Sequence, residues 1–92
     1  MHRNGHWIVR YVSGLTILEL GCGDGELAAQ FLGRGATRYL GVDVSERMVA
    51  AAAARLDATR ATVVHADLTT YSPPVNTFDL VVSLRVLITS RT

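Results

Sequence analysis

The sequence predicts an α/β fold, an open parallel sheet with flanking helices. Three observations predict it. A short apolar run, Ile17 to Leu20, breaks into glycines at alternate positions (Gly21, Gly23, Gly25) and passes directly into a helical pattern in which Leu27, Ala28, Phe31 and Leu32 are apolar. Two later apolar runs each end on a carboxylate, Asp43 and Asp67, with a helix-like stretch between them. Strands alternating with helices pair in parallel through right-handed crossovers, and they bring their carboxyl ends to one rim of the sheet.

Composition narrows the function classes. The 92 residues are 49% hydrophobic and 18% charged, a globular balance in one small domain. A domain of this class is usually larger, about 150 residues. The formal net charge is +1, and the nine basic residues are all arginines, scattered from Arg3 to Arg91 without a cluster. A nucleic-acid face would gather them, so no nucleic-acid partner is expected. The single cysteine, Cys22, excludes an internal disulfide, and no spacing suits a metal. There is no apolar leader and no 18-residue apolar run, so no membrane partner is expected and the expected location is cytoplasmic.

Residues 1–14 read as an N-terminal extension or short helix. Trp7 and Tyr11 share a helical face there as packing residues, His2 and His6 lie in a solvated terminus, and Ser13-Gly14 form a turn. The first strand covers about residues 16–20. Glu19 interrupts it, and a carboxylate on a central strand is costly to bury without donors or a cation. It can fix the glycine turn by accepting loop N–H groups and can face an ammonium group of a ligand, directly or through water, and the two roles are compatible. The first helix runs from about Gly25 to Leu32, ended by Gly33 or Gly35 in the left-handed region. Asp24 and Glu26 at its start suit the helix dipole and make the turn acidic, a poor setting for pyrophosphate. Cys22 reads as a small buried residue under the loop, with a reactive nucleophile as the alternative.

The second strand is Tyr39 to Val42, closed by Asp43. Ser45 caps the next helix, Glu46 to about Leu56, with Met48, Val49, Ala52 and Leu56 apolar and Arg47 and Arg55 left wet. Asp43 lies roughly 20 residues beyond the glycines, where an acid can accept both ribose hydroxyls of a nucleotide. Val44 and Met48 would form an apolar wall against its base, or belong to the core. The third strand, about Thr62 to His65, delivers Asp67 to the same rim, either as an acceptor for an adenine amino group or as a turn residue. His65 reads as a core or edge histidine. Pro73 and Pro74 mark a loop. The fourth strand, Phe78 to Val82, brings Ser83 to the ligand rim and leaves Asp79 a structural role. Leu84 to Ile88 would begin a helix or extend a strand.

Two glycine fingerprints compete for the first turn. The dinucleotide pattern G-x-G-x-x-G would need a glycine where Glu26 stands, which weakens a nicotinamide-dependent oxidoreductase. Leu18-Glu19-Leu20-Gly21-Cys22-Gly23-Asp24-Gly25 instead resembles the signature loop of class I S-adenosylmethionine-dependent methyltransferases. Gly41-Val42-Asp43-Val44-Ser45 with Met48, then Ala66-Asp67-Leu68, then Phe78-Asp79-Leu80-Val81-Val82-Ser83 resemble its later motifs in order. The resemblance implies a Rossmann-like sheet, truncated to strand order 3-2-1-4 of the family's 3-2-1-4-5-7-6. Residues 15–92 would then be a partial cofactor-binding domain. It implies S-adenosyl-L-methionine as cofactor, its methionine end held by Glu19 and the backbone of Gly21, Cys22, Gly23 and Gly25. Asp43 would take the ribose, Val44 and Met48 would line the adenine, and Asp67 with the N–H of Leu68 would read the adenine edge.

The implied activity is methyl transfer, with a small-molecule acceptor as the expected partner and no residue identified as a catalytic base. The tail after Ser83 departs from the family, which continues with a helix and three strands. Strand four is therefore expected to be an exposed edge, open to self-association or to a completing partner. The alternative function is a non-catalytic fold remnant or scaffold pairing through that edge.

Overall fold

The computed structural model describes residues 11–74, 77–83 and 87–89. Along the chain the elements are β1 (Thr16–Leu20), α1 (Glu26–Gly33), β2 (Arg38–Asp43), α2 (Glu46–Arg55), β3 (Ala61–His65), β4 (Leu80–Ser83) and β5 (Leu87–Thr89). The sheet order is β3-β2-β1-β4-β5. The first four strands are mutually parallel, the expected 3-2-1-4 arrangement.

The strand-four edge is not open. β5 pairs antiparallel along it, with Leu80 opposite Thr89 and Val82 opposite Leu87. Only three residues separate the two strands in sequence. A parallel return would need a crossover of about a dozen residues, so a connection this short permits only the antiparallel arrangement. Pairing through an exposed β4 edge therefore has no free ladder to use.

Helix ends follow their local chemistry. Ser45 caps α2, its Oγ accepting the Met48 N–H at 3.2 Å. The alanines from Ala51 to Ala54 lie inside that helix and are strong helix formers. Past α1 the chain turns at Gly35, whose φ of 97° lies in the left-handed region that glycine tolerates. Arg60 supports this end of α1, donating from Nη2 to the carbonyls of Leu32 and Ala36.

The register explains the core. Ile17 is level with Tyr39 on β2 and Leu80 on β4, and Tyr39 is level with Ala61 on β3. These residues share one sheet face, since side chains alternate along a strand. That face packs with Ala28, Phe31 and Leu32 of α1, with Ala52 of α2 and with Leu56 at its C-terminal end in a single buried cluster. Glu19, two residues beyond Ile17, lies on the same face. At the N-terminal side Val12 is fully buried, whereas Tyr11 is 68% exposed and so is not the packing residue expected of it. It precedes β1 in a turn, not on a helical face. Trp7, His2 and His6 lie outside the described residues.

Candidate functional site

The glycine loop lies over the end of β2. Gly21 and Cys22 donate their N–H groups to the Val42 carbonyl at 2.7 and 3.1 Å, and the Gly23 N–H donates to Asp43 Oδ2 at 2.8 Å. Gly21, Gly23 and Gly25 have φ of 83°, 59° and 86°, a region where a side chain is strained. The last two serve different ends. A Cβ on Gly23 would meet nothing within 4 Å, so its backbone is bare on the open side of the loop. A Cβ on Gly25 would come within 3.1 Å of the Ala52 Cβ, so this glycine admits α2 against the loop. Arg55 strengthens that contact. Its Nε donates to the Asp24 carbonyl at 3.0 Å and its Nη2 pairs with Asp24 Oδ2 at 3.2 Å, while the side chain stays exposed as expected.

Glu19 is the buried charge-bearing residue of the site, at 5% exposure. Among the described residues no loop N–H donates to it, contrary to one of the two expectations from sequence. Its Oε1 accepts instead from the Tyr39 hydroxyl at 2.7 Å. Burial pushes the carboxyl up to about 7 from an ordinary 4.5, the Tyr39 hydrogen bond opposes the rise, and the charge of Asp43 adds to it. Tyr39 reaches Glu19 because Gly41 lies between them on the same face. A Cβ there would fall 2.6 Å from the tyrosine oxygen, 2.8 Å from its ring and 2.9 Å from the Cys22 Cβ. Burial, with the charge of Glu19, drives the Tyr39 hydroxyl well above its ordinary 10, which keeps it a donor. Cys22 is buried, and burial followed by the charges of Glu19 and Asp43 pushes its thiol up to about 11. It therefore stays a thiol, a small packing residue and not a nucleophile.

Asp43, half-buried at the end of β2, ties two segments together. Oδ2 holds the Gly23 N–H and Oδ1 holds the Ser45 N–H at 2.9 Å. Each oxygen keeps a further lone pair for a ligand hydroxyl. Beside it Val44 is 62% exposed and Met48 is half-buried. Apolar surface left out of the core at this point is available to a flat apolar ligand. His65 is exposed at the end of β3 and its Nε2 lies 3.0 Å from the Val44 carbonyl, so it is an edge residue.

Asp67 is exposed beyond β3. Its Oδ1 accepts from the Thr69 hydroxyl at 2.7 Å and the Thr69 N–H at 2.9 Å, and these bonds hold its carboxyl below the usual aspartate range. Leu68 beside it is half-buried. Ser83 ends β4 level with Leu20, the last residue before the glycine loop. Asp79 has the structural role expected of it, since its Oδ2 accepts the Thr16 N–H at 2.9 Å and joins β4 to β1. Sequence reasoning missed Tyr39, Gly41 and Arg55. An aromatic residue two positions before a glycine, on the strand next to a buried acid, was the available signal for the first two. Among the described residues no group of three or more His, Cys, Asp or Glu could hold a metal, and no helix is long and apolar enough to cross a membrane.

The match to known proteins agrees with this geometry. The profile of the methyltransferase domain family matches residues 17–91, most of the chain. The chain belongs to the class I S-adenosylmethionine-dependent methyltransferases. An S-adenosylmethionine-dependent methyltransferase from Mesorhizobium loti is 37% identical with a TM-score of 0.77, over 86% of this chain and 38% of that one. A TehB-like methyltransferase from Corynebacterium glutamicum is 30% identical with a TM-score of 0.67, over 77% and 37%. The magnesium protoporphyrin IX methyltransferase of Synechocystis, solved with bound S-adenosylhomocysteine, is 27% identical with a TM-score of 0.68, over 84% and 36%. No curated protein sequence matches. The chain thus spans less than two fifths of the length of each of these structures.

S-adenosylmethionine is the expected cofactor of this methyltransferase domain. The residues present fit it. Glu19, Asp24, Glu26 and Asp43 surround a loop whose backbone is bare at Gly23. Such a setting suits a ligand carrying a sulfonium, an ammonium group and a ribose, and it opposes a pyrophosphate.

Proposed function

We propose that this chain is the cofactor-holding part of a methyltransferase that acts on a small-molecule acceptor, with the acceptor side of the cleft supplied by a partner or a further segment. The observation that carries the reading is the junction of the glycine loop with Asp43. One carboxylate sets the position of the Gly23 N–H and retains acceptor capacity for a ribose.

Glu19 and the backbone from Gly21 to Gly25 would hold the amino-acid end of the cofactor. Asp43 would accept its ribose hydroxyls. Val44 and Met48 would cover its adenine, and Asp67 with the Leu68 N–H would meet the adenine edge. Ser83, beside Leu20 at the end of β4, would face the same rim. When bound, the cofactor supplies the electrophile, a methyl group on a positive sulfur. The task of the chain is then to orient that group for an in-line approach, a contribution of placement more than of acid or base chemistry. The scattered arginines favour a small acceptor over a nucleic acid.

Thermal unfolding in the presence of S-adenosylhomocysteine and, separately, NAD tests the reading. A ligand at 100 times its dissociation constant stabilises by about 2.7 kcal/mol. The midpoint is expected to rise with S-adenosylhomocysteine alone. A rise with NAD alone, or with neither ligand, contradicts it.

A further inference from the structure

Tyr39 has no role in the cofactor contacts described above, yet its placement is specific. Its ring lies over Gly41, where any other residue would put a Cβ 2.6 Å from the tyrosine oxygen, and its hydroxyl ends 2.7 Å from Glu19 Oε1. Both side chains are buried, at 3% and 5% exposure. A tyrosine hydroxyl in a core needs only one partner, and a backbone carbonyl would satisfy it without charge. Here it is satisfied by the one acid on the buried face of β1, at the last residue but one before the glycine loop. The other oxygen, Oε2, has no partner among the described residues.

We propose that Tyr39 is a positioning residue: by holding Oε1 of Glu19 it fixes the direction of that carboxylate and leaves Oε2 to the ammonium group of the cofactor's amino-acid end. The inference rests on the cofactor reading above and deepens it. A bare carboxylate at this depth would be held by nothing and would favour its neutral form. A hydroxyl donor favours the charged form and orients it before the ligand arrives. The titratable groups around Glu19 are Tyr39 and Asp43 of β2 and Cys22 of the loop, while across β4 its level neighbour is Val82. Among these only Tyr39 donates to it.

The test is calorimetric titration of the full chain and of Tyr39→Phe with two probes, S-adenosylhomocysteine and 5′-methylthioadenosine, across pH 6 to 8.5. The second probe keeps the adenosine and the thioether but lacks the amino-acid end. For the unaltered chain, S-adenosylhomocysteine affinity should rise with pH as Glu19 ionises, while methylthioadenosine affinity stays flat. In Tyr39→Phe, S-adenosylhomocysteine should weaken by about tenfold, as for loss of one hydrogen bond to a charged group. The midpoint of its pH profile should also move upward, with methylthioadenosine unchanged. Unchanged S-adenosylhomocysteine binding in the variant, an equal loss for both probes, or a variant that fails to fold would assign the hydroxyl to the fold alone and overturn the proposal. If the unaltered chain binds neither probe, the cofactor reading itself fails and takes this inference with it.

Discussion

Glu19 and Asp67 are both carboxylates near the carboxyl ends of parallel strands, and they sit in opposite surroundings. Glu19 is on β1, the central strand of the sheet. It is almost fully buried, its oxygen is held across strands by Tyr39, and its carboxyl is pushed up to about 7. Asp67 follows β3, at the outer side of the sheet. It is exposed, held by its own turn through Thr69, and its carboxyl is pulled below the usual range. Strand position, more than residue type, decides the physics. A central strand makes its acid depend on distant partners, while an edge strand lets its acid satisfy itself locally. The first acid is therefore sensitive to pH near neutrality and the second is not.

The largest expected effect that sharpens this contrast is on stability. The folded-state value of Glu19 lies above its ordinary 4.5, so its contribution is fully present below that value and is lost as pH rises through about 7. The difference corresponds to about 3 kcal/mol. Glu19→Gln, whose amide still accepts from Tyr39, should be more stable than the unaltered chain by up to about 3 kcal/mol at pH 8, with the gap closing towards pH 4.5. Urea unfolding at several pH values measures it, and a constant gap would break the contrast. Next in size is Gly41→Ala. The added methyl meets the Tyr39 ring and the Cys22 Cβ, and should cost about 1–3 kcal/mol by overpacking. The same titration should show a steeper pH dependence, because Tyr39 is displaced from Glu19. The smallest effect belongs to Asp67→Ala. Its pulled-down carboxyl contributes above the ordinary 3.8 and loses that contribution as pH falls below it, so unfolding from pH 6 to 8 should run parallel to that of the unaltered chain. S-adenosylhomocysteine affinity should fall by less than about tenfold, the scale of one hydrogen bond to a charged group.

The strand-glycine-helix unit was legible in the sequence because its signals are local. The apolar run, three glycines and a helical pattern lie within one short stretch, and the observed β1 and α1 fall on it to within a residue. Ser45 and the acids at strand ends were legible for the same reason. What escaped depends on register. Tyr39 meets Glu19 only because β2 lies beside β1 with Gly41 opposite Glu19, and Arg55 meets Asp24 only because Gly25 lets α2 approach the loop. No periodicity reports such pairs. The edge of β4 was misjudged because an apolar stretch after a strand suits a helix or a strand equally well. The short connection decides for the strand once β4 ends at Ser83.

The central claim is that the glycine loop and Asp43 form one cofactor-holding unit. The most direct measurement is calorimetric titration of S-adenosylhomocysteine into the unaltered chain and Asp43→Ala, with folding of both checked by circular dichroism. Binding at about micromolar strength by the unaltered chain, reduced by at least about 100-fold in the folded variant, is the predicted result, since two hydrogen bonds to a charged group are lost. Equal affinity in the two chains, or a folded unaltered chain that binds nothing, would contradict it.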